Sequence, residues 1–324
     1  MQRVIEMKKT RMLFILSISL SLFFTGNVLA ADSHDNLSEE ELNNQTSISF
    51  DGEEEKTSKT IFSTKQKERI SFPYEGTGDM SDFNSVDEEQ IDISKKYDHF
   101  SIIGEDDRTR VTSTTSFPYR AIVKLSTKHP NSNDTFGCTG FMVNEDTVVT
   151  AGHCVYKHDK GGWAEEITAS PGRNGSSLPY GSFDWETVYT VSGWKDNKNP
   201  EYDYGAIKLR GTPGNNTGWF GYRTTNVDYP ADLSVNVTGY PCDQPSGTMW
   251  TDSGKVLSVM TRQLGYNADT FGCQSGSPVY RNYSETGQTA IAIHAYGASG
   301  SPLTNKGTRI TQAVFNNIST WKEE

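Results

Sequence analysis

Gly272-Cys273-Gln274-Ser275-Gly276-Ser277-Pro278 sets two serines among small residues, just ahead of a proline and a β-type run. Such a stretch suits a tight turn that exposes a hydroxyl, and its glycines let another backbone approach closely. By itself it is an ordinary turn signal, because Gly/Ser/Pro clusters usually mark turns. A second stretch far upstream, Thr150-Ala151-Gly152-His153-Cys154, changes its meaning by supplying a general base at the end of an apolar strand. A lone histidine there is more often structural than catalytic. A disulfide from Cys154 would hold the loop rigid, as a positioned base requires.

A histidine base needs a carboxylate to orient its ring and to stabilise its protonated form. Asp203, in Tyr202-Asp203-Tyr204-Gly205-Ala206-Ile207-Lys208-Leu209, stands where a strand begins, beside apolar residues that could bury it. Asp159, Asp184 and Asp196 are rivals in polar, turn-like contexts and are expected to be solvated. The order His153, Asp203, serine matches one known arrangement of a nucleophilic triad.

The rest of the chain fits an exported β-protein. Lys8, Lys9 and Arg11 precede an apolar run from Met12 to Phe24 and a small-residue site at Val28-Leu29-Ala30, which reads as a signal peptide over residues 1–30. The apolar run is too short to span a bilayer, which needs roughly 20 residues. No later segment approaches that length, so the processed protein is expected to be soluble and secreted, without a membrane partner. The four cysteines, Cys138, Cys154, Cys242 and Cys273, are an even count in an exported chain, and so point to two disulfides. Three pairings are open; the sequential one, Cys138 with Cys154 and Cys242 with Cys273, is the expectation. Closing the shorter loop would stabilise the fold by roughly 3 kcal/mol on the chain-entropy account. A Cys₄ zinc site would need close Cys-x-x-Cys pairs, and none is present.

The net charge of −11 is concentrated. Residues 32–100 hold 18 acidic and 7 basic side chains, including Glu39-Glu40-Glu41 and Glu53-Glu54-Glu55. This block lacks Cys and Trp, a composition unlikely to build its own core. Lying between an export signal and the residues described above, residues 31–100 read as an acidic propeptide that shields or chaperones the domain behind it. No basic stripe or stacked aromatic motif is present, which excludes a nucleic-acid-binding reading. The boundary falls near Ser101, and residues 101–324 form the expected catalytic domain.

From about residue 117 short β-type runs alternate with turn clusters. Examples are Tyr119 to Leu125, Thr147 to Thr150, Glu186 to Val191, Leu233 to Val237 and Thr289 to Ile293. Runs this short and evenly spaced predict antiparallel sheets in sandwiches or barrels. Only the tail reads as a helix, with Val314, Ile318 and Trp321 on one face.

TAGHC, DYGAIKL and QSGSPV resemble the three catalytic stretches of the chymotrypsin-like, or trypsin-superfamily, fold. Residues 101–324 as a whole are similar to the secreted bacterial glutamyl endopeptidases. Pro171-Gly172-Arg173-Asn174-Gly175, Trp219-Phe220-Gly221-Tyr222 and Gly307-Thr308-Arg309-Ile310-Thr311 share that look. The resemblance implies an all-β fold of two six-stranded Greek-key barrels, with the active site between them and a C-terminal α-helix outside. It implies a secreted serine endopeptidase, acting as a monomer on proteins and peptides, with its own propeptide as a further partner. It also selects Ser275 over Ser277, because the nucleophile precedes Gly-x-Pro in the family pattern. The catalytic residues would then be His153, Asp203 and Ser275, with the backbone N–H groups of Cys273 and Ser275 forming an oxyanion hole.

Two departures follow from that pattern. Cys273 stands where a glycine is commoner. Gln274 replaces the aspartate that in trypsin-like zymogens pairs with the new N-terminal amine, so that activation switch is excluded. By resemblance the specificity pocket is built by Thr270, His294, Tyr296 and Gly297. His294 and the Thr270 hydroxyl are donors for a glutamate carboxylate, and His294 would donate with charge assistance when protonated. The remaining histidines, His34, His99, His129 and His158, sit in polar contexts and are expected at the surface. No cofactor is implied; the family can bind structural calcium, but no ligand set is assigned in this sequence and no metal motif is visible. The other readings are a toxin-like protease with a narrow protein target and a binding module that has lost its chemistry. The second usually shows a substituted triad residue, and here none is substituted. Neither Glu nor Asp directly flanks the junction before Ser101, where the nearest is Asp98, so a second protease is expected to complete maturation.

Overall fold

The computed structural model describes residues 43–52, 54–55, 68–83, 101–225 and 229–324. The signal peptide and much of the acidic block, with His34 and His99, lie outside the described residues.

Six strands close the first barrel: β1 (Ile122–Lys128), β2 (Phe136–Met142), β3 (Thr147–Thr150), β4 (Glu166–Pro171), β5 (Phe183–Val191) and β6 (Gly205–Leu209). Their order around the barrel is β4-β1-β2-β3-β6-β5, with β5 returning to β4. The second barrel repeats this order with β7 (Ser234–Gly239), β8 (Met249–Val259), β9 (Gln263–Tyr266), β10 (Pro278–Tyr283), β11 (Gly287–Ser299) and β12 (Thr304–Arg309). Strand β11 pairs back onto β10 to close it. The result is the expected all-β architecture of two six-stranded Greek-key barrels. Closure removes the sheet edges that short antiparallel strands would otherwise expose.

The interiors explain why these runs are strands. Ile122, Leu125, Phe141, Val148, Val149 and Ile207 pack in the first barrel. Val235, Val237, Val256, Leu264, Val279 and Ile291 fill the second. All are β-branched, aromatic or leucine side chains, and burying each one stabilises by roughly 1.5–3 kcal/mol.

The C-terminal run forms helix α1 (Gln312–Glu323), capped by Thr311, whose Oγ1 accepts from the Val314 N–H at 3.4 Å. Val314, Ile318 and Trp321 are all buried, as the periodicity predicts. Although α1 follows the second barrel in sequence, it docks on the first. Trp321 stacks on Tyr189 of β5 with centroids 5.8 Å apart, and Lys208 Nζ of β6 donates to the Lys322 carbonyl. A lysine on the last carbonyls of a helix is favourably placed in its dipole. This crossing ties the two barrels together. Among the described residues no helix is long and apolar enough to cross a membrane.

Candidate active site

His153 sits in a single helical turn, Gly152–Val155, directly after β3. The disulfide from Cys154 to Cys138 of β2 anchors that turn, and Cys242 joins Cys273, so the sequential pairing is the one observed. Asp203 follows a 3-10 turn, Pro200–Tyr202, and precedes β6. It is wholly buried, and its carboxylate receives three hydrogen bonds. The His153 N–H donates to Oδ1 at 2.8 Å and the His153 ring Nδ1 to Oδ2 at 2.8 Å, while the Tyr296 hydroxyl donates to Oδ2 at 2.5 Å. Burial alone would push this carboxyl up, but the facing imidazole and these donors hold it below the usual carboxylate range. The bond at Nδ1 leaves His153 Nε2 free of Asp203. Asp159, Asp184 and Asp196 are exposed, as expected.

The 272–278 loop is fastened on both sides. Thr139 N–H donates to the Ser275 carbonyl at 2.9 Å, and Gly276 N–H to the His294 carbonyl at 2.7 Å. Gly276 has φ +90, and a Cβ there would lie 2.0 Å from the Thr139 carbonyl oxygen, so only glycine fits. Cys273 takes φ +75, a conformation that costs a side-chain-bearing residue and which its disulfide and the Thr139 hydroxyl bond to its carbonyl restrain. The glycine preference at this position is therefore a backbone requirement, and the cysteine meets it under strain. Gln274 is fully buried, and its Oε1 accepts the Phe271 N–H at 2.8 Å, bracing the loop from inside. The N–H groups of Cys273 and Ser275 donate to no group among the described residues.

His153, Asp203, Cys273 and Ser275 line one cavity of about 300 Å³ between the barrels, together with His294, Tyr296 and Gly297. His294 is buried in the strand β11, and its Nδ1 lies 2.6 Å from the Tyr266 hydroxyl. Burial, with a smaller contribution from His153, pushes its pKa down to about 3, which favours the neutral ring. Thr270 lies behind the wall: it is fully buried, its hydroxyl has no partner among the described residues, and Phe271 faces the cavity in its place.

The wall also takes in residues to which the sequence assigns no role in the site. Trp194 packs beside His153 with ring centroids 6.2 Å apart and donates through Nε1 to the Tyr156 carbonyl. Lys157, His158, Asp159 and Lys198 also reach the wall. His158 is half-buried against Trp194 and not a surface residue as expected. His129 is a second correction: it is buried, with Nδ1 on the Gly162 carbonyl at 3.0 Å. Both histidines come from loops whose polar sequence hides the aromatic rings they pack against. Ser101 also lines the cavity, and its carbonyl accepts from Thr270 N–H and Asn305 Nδ2.

Among the described residues the one cluster with metal-ligating side chains is Cys138, His153 and Cys154. Both sulfurs are spent in the disulfide that joins them, so that donor set fits no metal ion.

Residues 107–322 match the trypsin family. An extracellular metalloprotease of Bacillus subtilis, so named, is 55% identical over 87% of this chain and 88% of its own length. A glutamyl endopeptidase of Bacillus licheniformis is 42% identical over 77% of this chain and 78% of its own. Among solved structures, a Glu endopeptidase in complex with MPD superposes with a TM-score of 0.61 at 26% identity, covering 69% of this chain and all of the other.

Proposed function

Because the chain belongs to the trypsin family of serine proteases, we propose that it is a secreted endopeptidase cutting after glutamate, and less readily after aspartate. The observation that carries the reading is the meeting, in one cavity, of the His153–Asp203 pair, Ser275 and the donor-bearing His294.

The chemistry runs through this chain's own groups. Ser275 Oγ attacks the scissile carbonyl as His153 Nε2 takes its proton, and Asp203 holds the resulting imidazolium through Nδ1. The Cys273 and Ser275 N–H groups receive the developing oxyanion. His153 then passes the proton to the leaving amine, and an acyl-enzyme on Ser275 remains. Water, deprotonated by the same histidine, attacks that ester and releases the acid product, returning the proton to Ser275.

Specificity is assigned to the wall opposite. If the buried Tyr266 hydroxyl donates to His294 Nδ1, the ring proton lies on Nε2, which can then donate to a carboxylate. Lys157 and Lys198 line the same cavity, and although Asp159 offsets part of their charge they leave it a net positive contribution that favours an acidic side chain. The metalloprotease name belongs to the Bacillus subtilis relative; among the described residues the donor set at His153 fits no metal ion, and the steps above route through none.

Processing near Ser101 would act on the cavity itself, since Ser101 is part of its wall. The acidic block is accordingly read as a propeptide and the precursor as a zymogen. The test is cleavage-site profiling with peptides varied at the residue before the cut. Turnover confined to Glu and Asp supports the reading; preference for Lys, Arg or large apolar residues overturns the specificity. Persistence of activity in Ser275→Ala overturns the mechanism.

A further inference from the structure

Two pieces of the acidic block are built into the surface of the protease domain. The strand Ser47–Ser49 adds antiparallel to β5, pairing Ser47 with Val191 and Ser49 with Tyr189. Gln45, Ser47, Ile48 and Ser49 are as buried as core residues. Three side chains of the domain complete their hydrogen bonds on this piece. Tyr204 hydroxyl donates to Gln45 Oε1 at 2.6 Å, Asn317 Nδ2 to the Gln45 carbonyl at 3.0 Å, and Trp321 Nε1 to Ser47 Oγ at 2.7 Å.

The second piece, residues 68–83, runs along the segment between the barrels. Ile70–Ser71 pairs with Tyr222 and Arg223, and Tyr74 exchanges backbone bonds with Trp219 while their rings sit 4.5 Å apart. Glu68 bonds Arg223, and Phe83 packs edge-on against Tyr180 and Phe183.

Glycines of the domain are fitted to this piece. Gly221 has no left-handed φ to explain it, yet a Cβ there would lie 2.5 Å from the Ser71 carbonyl oxygen and 2.7 Å from Pro73 Cδ. At Gly218 the nearest atom would be the Tyr74 carbonyl oxygen, at 2.2 Å. The three nearest of the crowding atoms all belong to the acidic block, so the tightest limit on a side chain at Gly221 comes from this piece. Neither piece lines the cavity.

We propose that the acidic block is a bivalent clamp that docks on the protease domain by strand addition, away from the cleft, and stays bound after the chain is cut before Ser101. Main-chain pairing supplies the affinity, the room at Gly221 and the Glu68–Arg223 ion pair supply the fit, and the short tether between the pieces makes the second engagement intramolecular. The proposal rests on reading residues 31–100 as a propeptide. The two fail separately: absence of natural cutting near Ser101 overturns that reading, whereas a cut introduced deliberately still tests the clamp.

The experiment uses the full exported chain carrying Ser275→Ala, with a site-specific protease sequence inserted between Lys96 and Tyr97. After cutting, native mass spectrometry and size exclusion should find the N-terminal fragment bound one to one. Gly221→Ala should weaken retention by about tenfold or more, because a methyl group displaces the paired backbone. Ile48→Asp, a change in the fragment itself, should do the same with the domain's sequence intact. In the active enzyme the bound fragment should leave KM for a small peptide unchanged. Separation of the unsubstituted fragment on cutting, equal retention in both variants, or competitive inhibition by the fragment would each overturn the proposal.

Discussion

Tyr296 walls the substrate cavity with its ring and donates its hydroxyl to Asp203 Oδ2 at 2.5 Å, so one side chain joins the pocket to the carboxylate that holds His153. Its neighbour Ala295 has no hydroxyl to offer. The phenol is the one donor to the Asp203 carboxylate that does not come from His153 among the described residues.

Tyr296→Phe should therefore lower kcat by roughly tenfold, about 1.4 kcal/mol, with a smaller effect on KM. Without the phenol, the Asp203 carboxylate loses one of its three donors and holds the His153 ring less firmly. Steady-state kinetics of the purified variant check this; an unchanged kcat would contradict it.

Tyr266→Phe removes the hydroxyl that lies 2.6 Å from His294 Nδ1 and, when it donates there, places the ring proton on Nε2. Cleavage after Glu should fall by about 10- to 100-fold in kcat/KM, the range of one lost charge-assisted bond or somewhat more. Cleavage after Gln, which can either donate or accept, should change much less. The ratio of the two rates is the measurement.

Cys273 carries a left-handed backbone under its disulfide. The double change Cys242→Ala with Cys273→Gly should therefore be more stable than Cys242→Ala with Cys273→Ala by about 1 kcal/mol, since glycine takes that conformation without cost. Both proteins lack the bridge, so thermal melts isolate the conformational effect.

His129 supplies a pH dependence. Burial lowers its pKa to about 4, against an ordinary value of 6.5, so the folded protein keeps this ring neutral. Between those two values the unfolded chain binds a proton that the folded one refuses. Stability should thus be full above about pH 6.5 and fall as pH drops toward 4, where the folded ring also titrates. The cause is local: Nε2 is buried without a partner among the described residues, leaving a new N–H nothing to bond. Melting temperatures of the Ser275→Ala protein across this range should fall less steeply for His129→Gln. His294, depressed to about 3, contributes in the same direction and extends the window lower.

Much of this was legible in the sequence for a physical reason. His153, Asp203 and the 272–278 loop are local patterns, each a short stretch in which backbone demands dictate residue type. Helix α1 showed itself through spacing. The cavity wall did not, because Trp194, Lys157 and His158 reach it from loops brought together by strand order, which no local pattern encodes. His129 reads as polar from its immediate neighbours, while the Phe136 ring lies on the next strand and the Gly162 carbonyl 33 residues away. The composition of the acidic block predicts no core of its own. Its described strand residues Ser47–Ser49 and Ile70–Ser71 pair instead with strands of another part of the chain.

The burial of Ser101 bears on the timing of activation. A protease acting on this junction needs several residues in extended form across its own cleft. Here the Ser101 carbonyl is held by Thr270 and Asn305, and the following segment by Ile103 N–H on Asp269. Under the proposed processing before Ser101, the bond to be cut would come within reach only when that segment peels away. The rate at which the precursor ripens would then follow a local opening equilibrium of the domain, so a change that loosens Asn305 would hasten activation without altering a single residue that the activating protease reads.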